Sequence, residues 1–161
     1  MQQAIRGTCG TRLIADSLAA LQAMPTVPTV FIWPNIRRND PQYDANTGAI
    51  TIAEDSFFSS SANWATSVIS GTGYFYADAE FYVNGEWVRG LNSCRREYIR
   101  NGDQQRTTVF PFDGFFPAGT ILRFVAWASG SNVVISTSTD QGSTIAAARL
   151  TYATIAGKIR E

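Results

Sequence analysis

Hydrophobic positions along this chain recur mainly at every second residue, in short runs separated by turns that carry glycine or proline. The clearest run covers 74–83, where Ala77, Ala79, Phe81 and Val83 share one face and Asp78, Glu80 and Tyr82 the other. A period of two marks a strand with one buried face. Asn84-Gly85 follows at once, and a tight hairpin turn needs positive φ at both central positions, which these two residues tolerate best. Residues 86–89 then return as the partner strand. Residues 121–128 are apolar on both faces apart from Arg123, the pattern of a strand covered on both sides. Further strands are predicted at 29–33, at 50–52 behind the Asn46-Thr47-Gly48 turn, and at 98–101, 107–112, 133–137 and 147–155. Residues 35–46 read as a polar loop. The Ser- and Gly-rich stretch 56–73 reads as a long loop or a short strand around Trp64, and Asp113-Gly114 opens a loop that holds Phe115 and Phe116.

One stretch changes period. Within 11–24, Leu13, Ile14, Leu18 and Leu21 fall near one face at helical spacing, with alanines between them. Thr11 is placed to cap, Asp16 sits early, and Pro25 stops the element. A helix of about fourteen residues is marginal alone in water, so it must dock on its own domain, bundle with symmetry mates, or bind another protein. The expected architecture is therefore all-β, a jelly-roll β-sandwich with a short N-terminal arm and helix: arm and helix over 1–28, jelly roll over 29–161. Leu13, Ile14, Leu18 and Leu21 are the candidate attachment residues, unless the helix caps an open end of the sandwich.

Composition sharpens this picture. The 161 residues are 45% hydrophobic but only 16% charged, against roughly 25% in average soluble domains. The surface must then be rich in Ser, Thr, Asn and Gln, which protects poorly against self-association. Thirteen basic residues balance thirteen acidic ones, and the pairs Arg37-Arg38 and Arg95-Arg96 are isolated, so no nucleic-acid partner is expected. Lys158 is the single lysine; arginine suits bidentate pairing at interfaces better. Cys9 and Cys94 are too far apart in sequence to make a metal or redox motif, and free thiols are favoured over a bridge. The N-terminal stretch has charges spread through it and no unbroken apolar core, so neither an export signal nor a membrane anchor is expected.

Histidine is absent from the whole chain. That removes the commonest general base and metal ligand, and with it Ser-His and Cys-His machinery. Asp113, Asp103 and Glu97 have no spacing that suggests a carboxylate pair. Asp40, Asp44 and Asp55 have no recognised Ca²⁺-loop spacing. No enzyme activity, metal or cofactor is expected.

Three segments together carry a resemblance to a known family. Tyr43, Asp44, Thr47, Gly48, Ile50, Thr51 and Ile52 resemble the opening strand of C1q/TNF-like jelly rolls. Phe81-Tyr82-Val83-Asn84-Gly85 is similar to their hydrophobic-x-Val-Asn-Gly hairpin. Phe116-Pro117-Ala118-Gly119-Thr120-Ile121-Leu122-Arg123-Phe124 resembles their Ala-Gly-Asp strand, with Thr120 in place of the aspartate. A closing strand of small residues, Ala146 to Ile155, sits where the family ends its barrel, and the matches occur in order over about 43–155. The resemblance implies a jelly roll that assembles as a homotrimer, similar to those in bacteriophage virion proteins.

Candidate sites follow. Tyr74, Tyr76, Phe81, Phe124 and Trp127 are candidates for the threefold contact, or else fill the core between the sheets. Trp64, Phe112, Phe115 and Phe116 are candidate loop-binding residues for a neighbouring subunit, a capsid surface or a saccharide, unless they fold back on the sandwich. The expected function is a virion structural protein assembled in the host cytoplasm: a trimeric phage capsid decoration protein bound to the major capsid protein, stabilising the head. The alternative is a tail- or head-fibre module that recognises a host surface saccharide or protein. A C1q/TNF-like signalling ligand is a third class, disfavoured by the lack of an export signal.

Overall fold

The computed structural model describes residues 12–17, 22–33, 35–39, 43–90, 94–101, 106–135 and 143–151. No helix occurs among them. They form β1 (Arg12–Ser17), β2 (Gln22–Ala23), β3 (Thr29–Val30), β4 (Asn35–Asn39), β5 (Ile50–Thr51), β6 (Ser56–Val68), β7 (Thr72–Val83), β8 (Glu86–Arg89), β9 (Arg95–Arg100), β10 (Arg106–Phe116), β11 (Ile121–Ala128), β12 (Val133–Ile135) and β13 (Ser143–Thr151). All the pairings are antiparallel. One sheet runs β2-β12-β6-β13-β1-β4, with β10 pairing β6 along its whole length; the other runs β3-β11-β7-β8, with β5 on β11 and β9 on β7.

Two long strands set the frame. In β7 the even register turns Tyr74, Tyr76, Asp78 and Glu80 to one face, while Phe75, Ala77 and Ala79 are buried on the other. In β6 the buried positions alternate from Ser56 through Phe58, Ser60, Ala62 and Trp64 to Thr66 and Val68. The space between the sheets is closed by an aromatic cluster. Trp64 lies 5.6 Å from both Trp33 and Phe75, and Trp33 lies 6.2 Å from Phe124. Burying side chains of this size is the main stabilising term of such a sandwich. The burial has a specific cost: the indole Nε1 atoms of Trp33 and Trp64 have no hydrogen-bond partner among the described residues.

The turns match their chemistry. Asn84 and Gly85 hold φ of 51° and 89° and close the β7–β8 hairpin with Val83 opposite Glu86, as the sequence predicts. At the Asn46-Thr47-Gly48 turn the Asp44 carboxylate accepts hydrogen bonds from the Asn46 N–H and the Thr47 hydroxyl. These bonds hold its pKa below the usual carboxylate range, the Asn46 N–H contributing most. Tyr43, buried beside this turn, accepts the Trp33 backbone N–H at 2.8 Å through its phenol oxygen. Burial pushes that phenol's pKa up.

Four sequence expectations are corrected. The 11–24 helix is not formed: Arg12–Ser17 is a strand between β13 and β4. Leu13 and Ile14 therefore belong to the sheet backbone, while Leu18 and Leu21 lie outside the described residues. Leu13-Ile14-Ala15-Asp16 satisfies a period of two as well as a helical one, and two flanking strands outweigh the weak preference of a short helix. The 56–73 stretch, expected as a long loop or a short strand, is mostly the long strand β6, and the 35–46 loop contains strand β4. The Asp113-Gly114 loop is the interior of β10, with Asp113 opposite Ser59 and Gly114 opposite Phe58. Pro111 stands opposite Ser61 in β10, a strand that pairs on one side only among the described residues, the setting in which a sheet tolerates proline.

Candidate interaction surfaces

The alternation of β6, β7, β10 and β11 sorts the candidate aromatics into three environments. Phe124 and Trp64 are fully enclosed in the core. They present nothing to a partner, so the contact expected of Phe124 and the loop-binding role expected of Trp64 are corrected. Their inward register explains why: each sits at an even position whose neighbours two residues away are also buried. Phe81, Phe112 and Phe116 pack against the core from its edge. Their rings form a contiguous group, with Phe81 at 5.7 Å from both Phe112 and Phe116. A Cβ on Gly114 would meet the Phe116 ring at 2.9 Å, so glycine here lets that ring lie across the strand.

Phe115 is the exception in β10. It is 60% exposed and faces away from the core, with Phe57 of β6 opposite it in register and 4.9 Å away edge-on. The same side of β6 continues with half-buried Ser59, Ser61 and Asn63, and Ser59 donates its hydroxyl to Asp113 at 2.6 Å. This outward face of the first sheet is thus short-chained and largely uncharged along β6, with an aromatic pair at one end.

Tyr74, Tyr76 and Trp127 do come together, on the outward face of the second sheet. Trp127 stands opposite Tyr76 in register, and their rings are stacked at 5.1 Å with 9° between planes. Tyr98 of β9 adds to the row, 5.2 Å from Tyr74. Sequence reading missed Tyr98; the missed signal is that β9 begins at Arg95, so its period of two puts Arg96, Tyr98 and Arg100 on the face of Tyr74 and Tyr76. Arginines lie over this row: Arg96 5.1 Å from the Tyr74 ring centre, Arg89 4.8 Å from Trp127 and Arg100 5.6 Å from Tyr98. Further along, Arg123 lies 3.9 Å over Trp87 and binds Glu80 at 2.8 Å. Each such cation–ring contact is worth about 0.5–1 kcal/mol at an exposed site.

Two carboxylates, Asp78 and Glu80, share this face. Asp78 is 2% exposed and accepts the Ala79 N–H, and Glu80 is engaged by Arg123. Cys94, just before β9, carries a free, exposed thiol. Its pKa is pushed up by desolvation and then by the Asp78 charge, with Arg89 and Arg96 pulling the other way.

The acidic residues weighed for chemistry are dispersed. Asp113 takes the Ser59 hydroxyl, Asp44 serves its own turn, and Asp55 accepts the Ala118 N–H. Asp40 and Asp103 lie outside the described residues, as does Cys9. Among the described residues no three or more Cys, Asp or Glu side chains gather at metal-binding distance, and no helix is long and apolar enough to cross a membrane.

No family model matches the sequence, and no curated protein matches it. Solved structures do share its fold. Murine APRIL at pH 8.5 aligns with a TM-score of 0.56 at 11% identity, over 87% of this chain and 100% of that one. Eiger TNF from S. frugiperda aligns with a TM-score of 0.52 at 9% identity, over 88% of this chain and 93% of that one. At these identities the likeness is one of fold, and that fold is a TNF-like jelly roll.

Proposed function

We propose that this chain is a non-enzymatic assembly protein, that it works as a homotrimer, and that its setting is a virion, where it decorates and stabilises the capsid. The observation that carries the assembly reading is the outward face of the first sheet. An exposed Phe115 paired with Phe57, beside Ser59 and Ser61, offers an aromatic anchor next to short side chains that let another sheet approach closely. The Tyr74–Trp127 face suits a threefold axis less well. Arg89, Arg96 and Arg100 lie on it, and three copies meeting there would bring like charges together in a desolvated space. The homotrimer contact is therefore assigned to Phe57 and Phe115, and Tyr74, Tyr76 and Trp127 stay open on the outside of the assembly. The neutral, hydroxyl-rich composition supports a chain whose surface is partly consumed by neighbours.

Repetition on a threefold multiplies each weak contact with a coat lattice, which is the physical advantage of a trimer as decoration. Copy number tests the setting. Quantitative mass spectrometry of purified particles should find this chain in fixed, near-equal ratio to the major capsid protein. A few copies per particle would instead support the fibre reading, which the open aromatic–arginine face favours. Complete absence from particles would overturn both.

A further inference from the structure

The outward face of the second sheet carries more arginines than carboxylates. Along β7, β8, β9 and β11 the register puts Arg89, Arg96, Arg100 and Arg123 on that face, against Asp78 and Glu80. That is four arginines to two carboxylates in a chain whose formal charge is zero. Asp78 is almost wholly covered, and Glu80 is bound by Arg123. Arg89 and Arg96 are exposed, and each is seated on a ring. A guanidinium lying over a ring keeps its edge N–H groups available to a carboxylate, and the ring beneath fixes its plane. Arg96 and Arg100 lie four residues apart on one strand, which sets their Cα atoms about 13 Å apart. Tyr98 lies between them with Tyr74 opposite it, and Tyr76 and the Trp127 indole continue the row beside Arg96; the phenol groups both donate and accept.

We propose that this face binds a uronate-containing oligosaccharide, with Arg96 and Arg89 receiving the carboxylates and the Tyr74–Tyr76–Tyr98–Trp127 row receiving the sugar hydroxyls and ring faces. Forked cations at intervals over amphipathic rings match a chain of polar rings that carries carboxylates at intervals. Nucleic acid fits less well, because its affinity scales with the number of phosphates neutralised and this face has an excess of two positive charges only. A second copy of this chain fits less well too, because it would bring the same arginines.

The test is calorimetric titration of the full chain with hyaluronan oligosaccharides and with oligogalacturonate, using neutral dextran and single-stranded poly(U) RNA as comparisons, and with the solution mass of the same sample measured alongside. Binding to at least one uronate oligomer and none to dextran is expected, weakening as salt rises. Arg96→Gln should weaken it tenfold or more. Arg96→Lys should weaken it by several-fold, since the charge is kept and the fork is lost. Trp127→Ala, which keeps every charge but removes a ring face and the support beneath Arg89, should weaken it as well. The proposal is overturned by no binding to either uronate, by binding that Arg96→Gln and Arg89→Gln both leave intact, or by tighter binding to poly(U). Self-association that disappears in Arg96→Gln would likewise overturn it and assign the face to a second copy. Loss of the trimer with binding retained would instead defeat the assembly reading alone.

Discussion

Two sets of aromatic rings stand on the same strands and differ only in parity. Phe75 and Phe124 point inward from β7 and β11 and join Trp33 and Trp64. Tyr74, Tyr76 and Trp127 point outward from those strands and carry arginines on their faces. The inner set is enclosed, and two of its indole N–H groups have no hydrogen-bond partner among the described residues. The outer set has phenols, cations and a buried carboxylate around it. One register thus sends apolar bulk to stability and amphipathic rings to recognition, so the two sets should respond differently to the same truncation.

The largest contrast is expected for Trp64→Ala against Trp127→Ala. Removing an enclosed ring should cost about 3–5 kcal/mol, read as a lowered urea midpoint at unchanged slope. Removing Trp127 should cost about 1 kcal/mol or less, the loss of one ring stack and one cation contact. Equal losses would break the division between the two sets. Next in size is Tyr43→Phe. It leaves the Trp33 N–H buried without its acceptor, so about 1–3 kcal/mol is expected from the same denaturation measurement. A neutral result would mean that the inner cluster tolerates wet or unpaired groups.

How much of this was legible in the sequence follows from how each strand hides its period. β7 and β11 were legible because every inward position is apolar and Asn84-Gly85 marks the turn. β6 was not, because Ser56, Ser60 and Thr66 occupy inward positions. Their hydroxyls tolerate burial where backbone carbonyls accept them: Ser60 donates to Phe112 and Ser56 to Glu54. A strand with serine inside reads as a loop. β1 failed for a different reason, since its six residues are too few to separate a period of two from a helical one and only pairing with β13 and β4 decides. The outer row was half legible. Tyr74, Tyr76 and Trp127 share one face, but Phe81 and Phe124, grouped with them in the sequence, pack on the core, and the arginines over the rings come from β8 and β9, whose pairing with β7 places them there.

The smallest expected effect lies at the margin of the sandwich. The Asp44 carboxylate is held below its ordinary pKa by the Asn46 N–H and the Thr47 hydroxyl. Its contribution is therefore present above the ordinary carboxylate range and is lost as pH falls through its lowered folded value. Thermal melts of wild type and Asp44→Asn should differ at pH 7 and converge on acidification to about pH 2. A gap that stays constant with pH would remove the turn from the account.

The central claim is that the first sheet's outward face assembles the protein while the second sheet's stays open. Light scattering on wild type, Phe115→Asp and Trp127→Ala tests it in one experiment. Wild type and Trp127→Ala should both give three times the 17.6 kDa chain mass, and Phe115→Asp should fall towards a single chain. A monomeric wild type, or a trimer lost in Trp127→Ala and kept in Phe115→Asp, would contradict it.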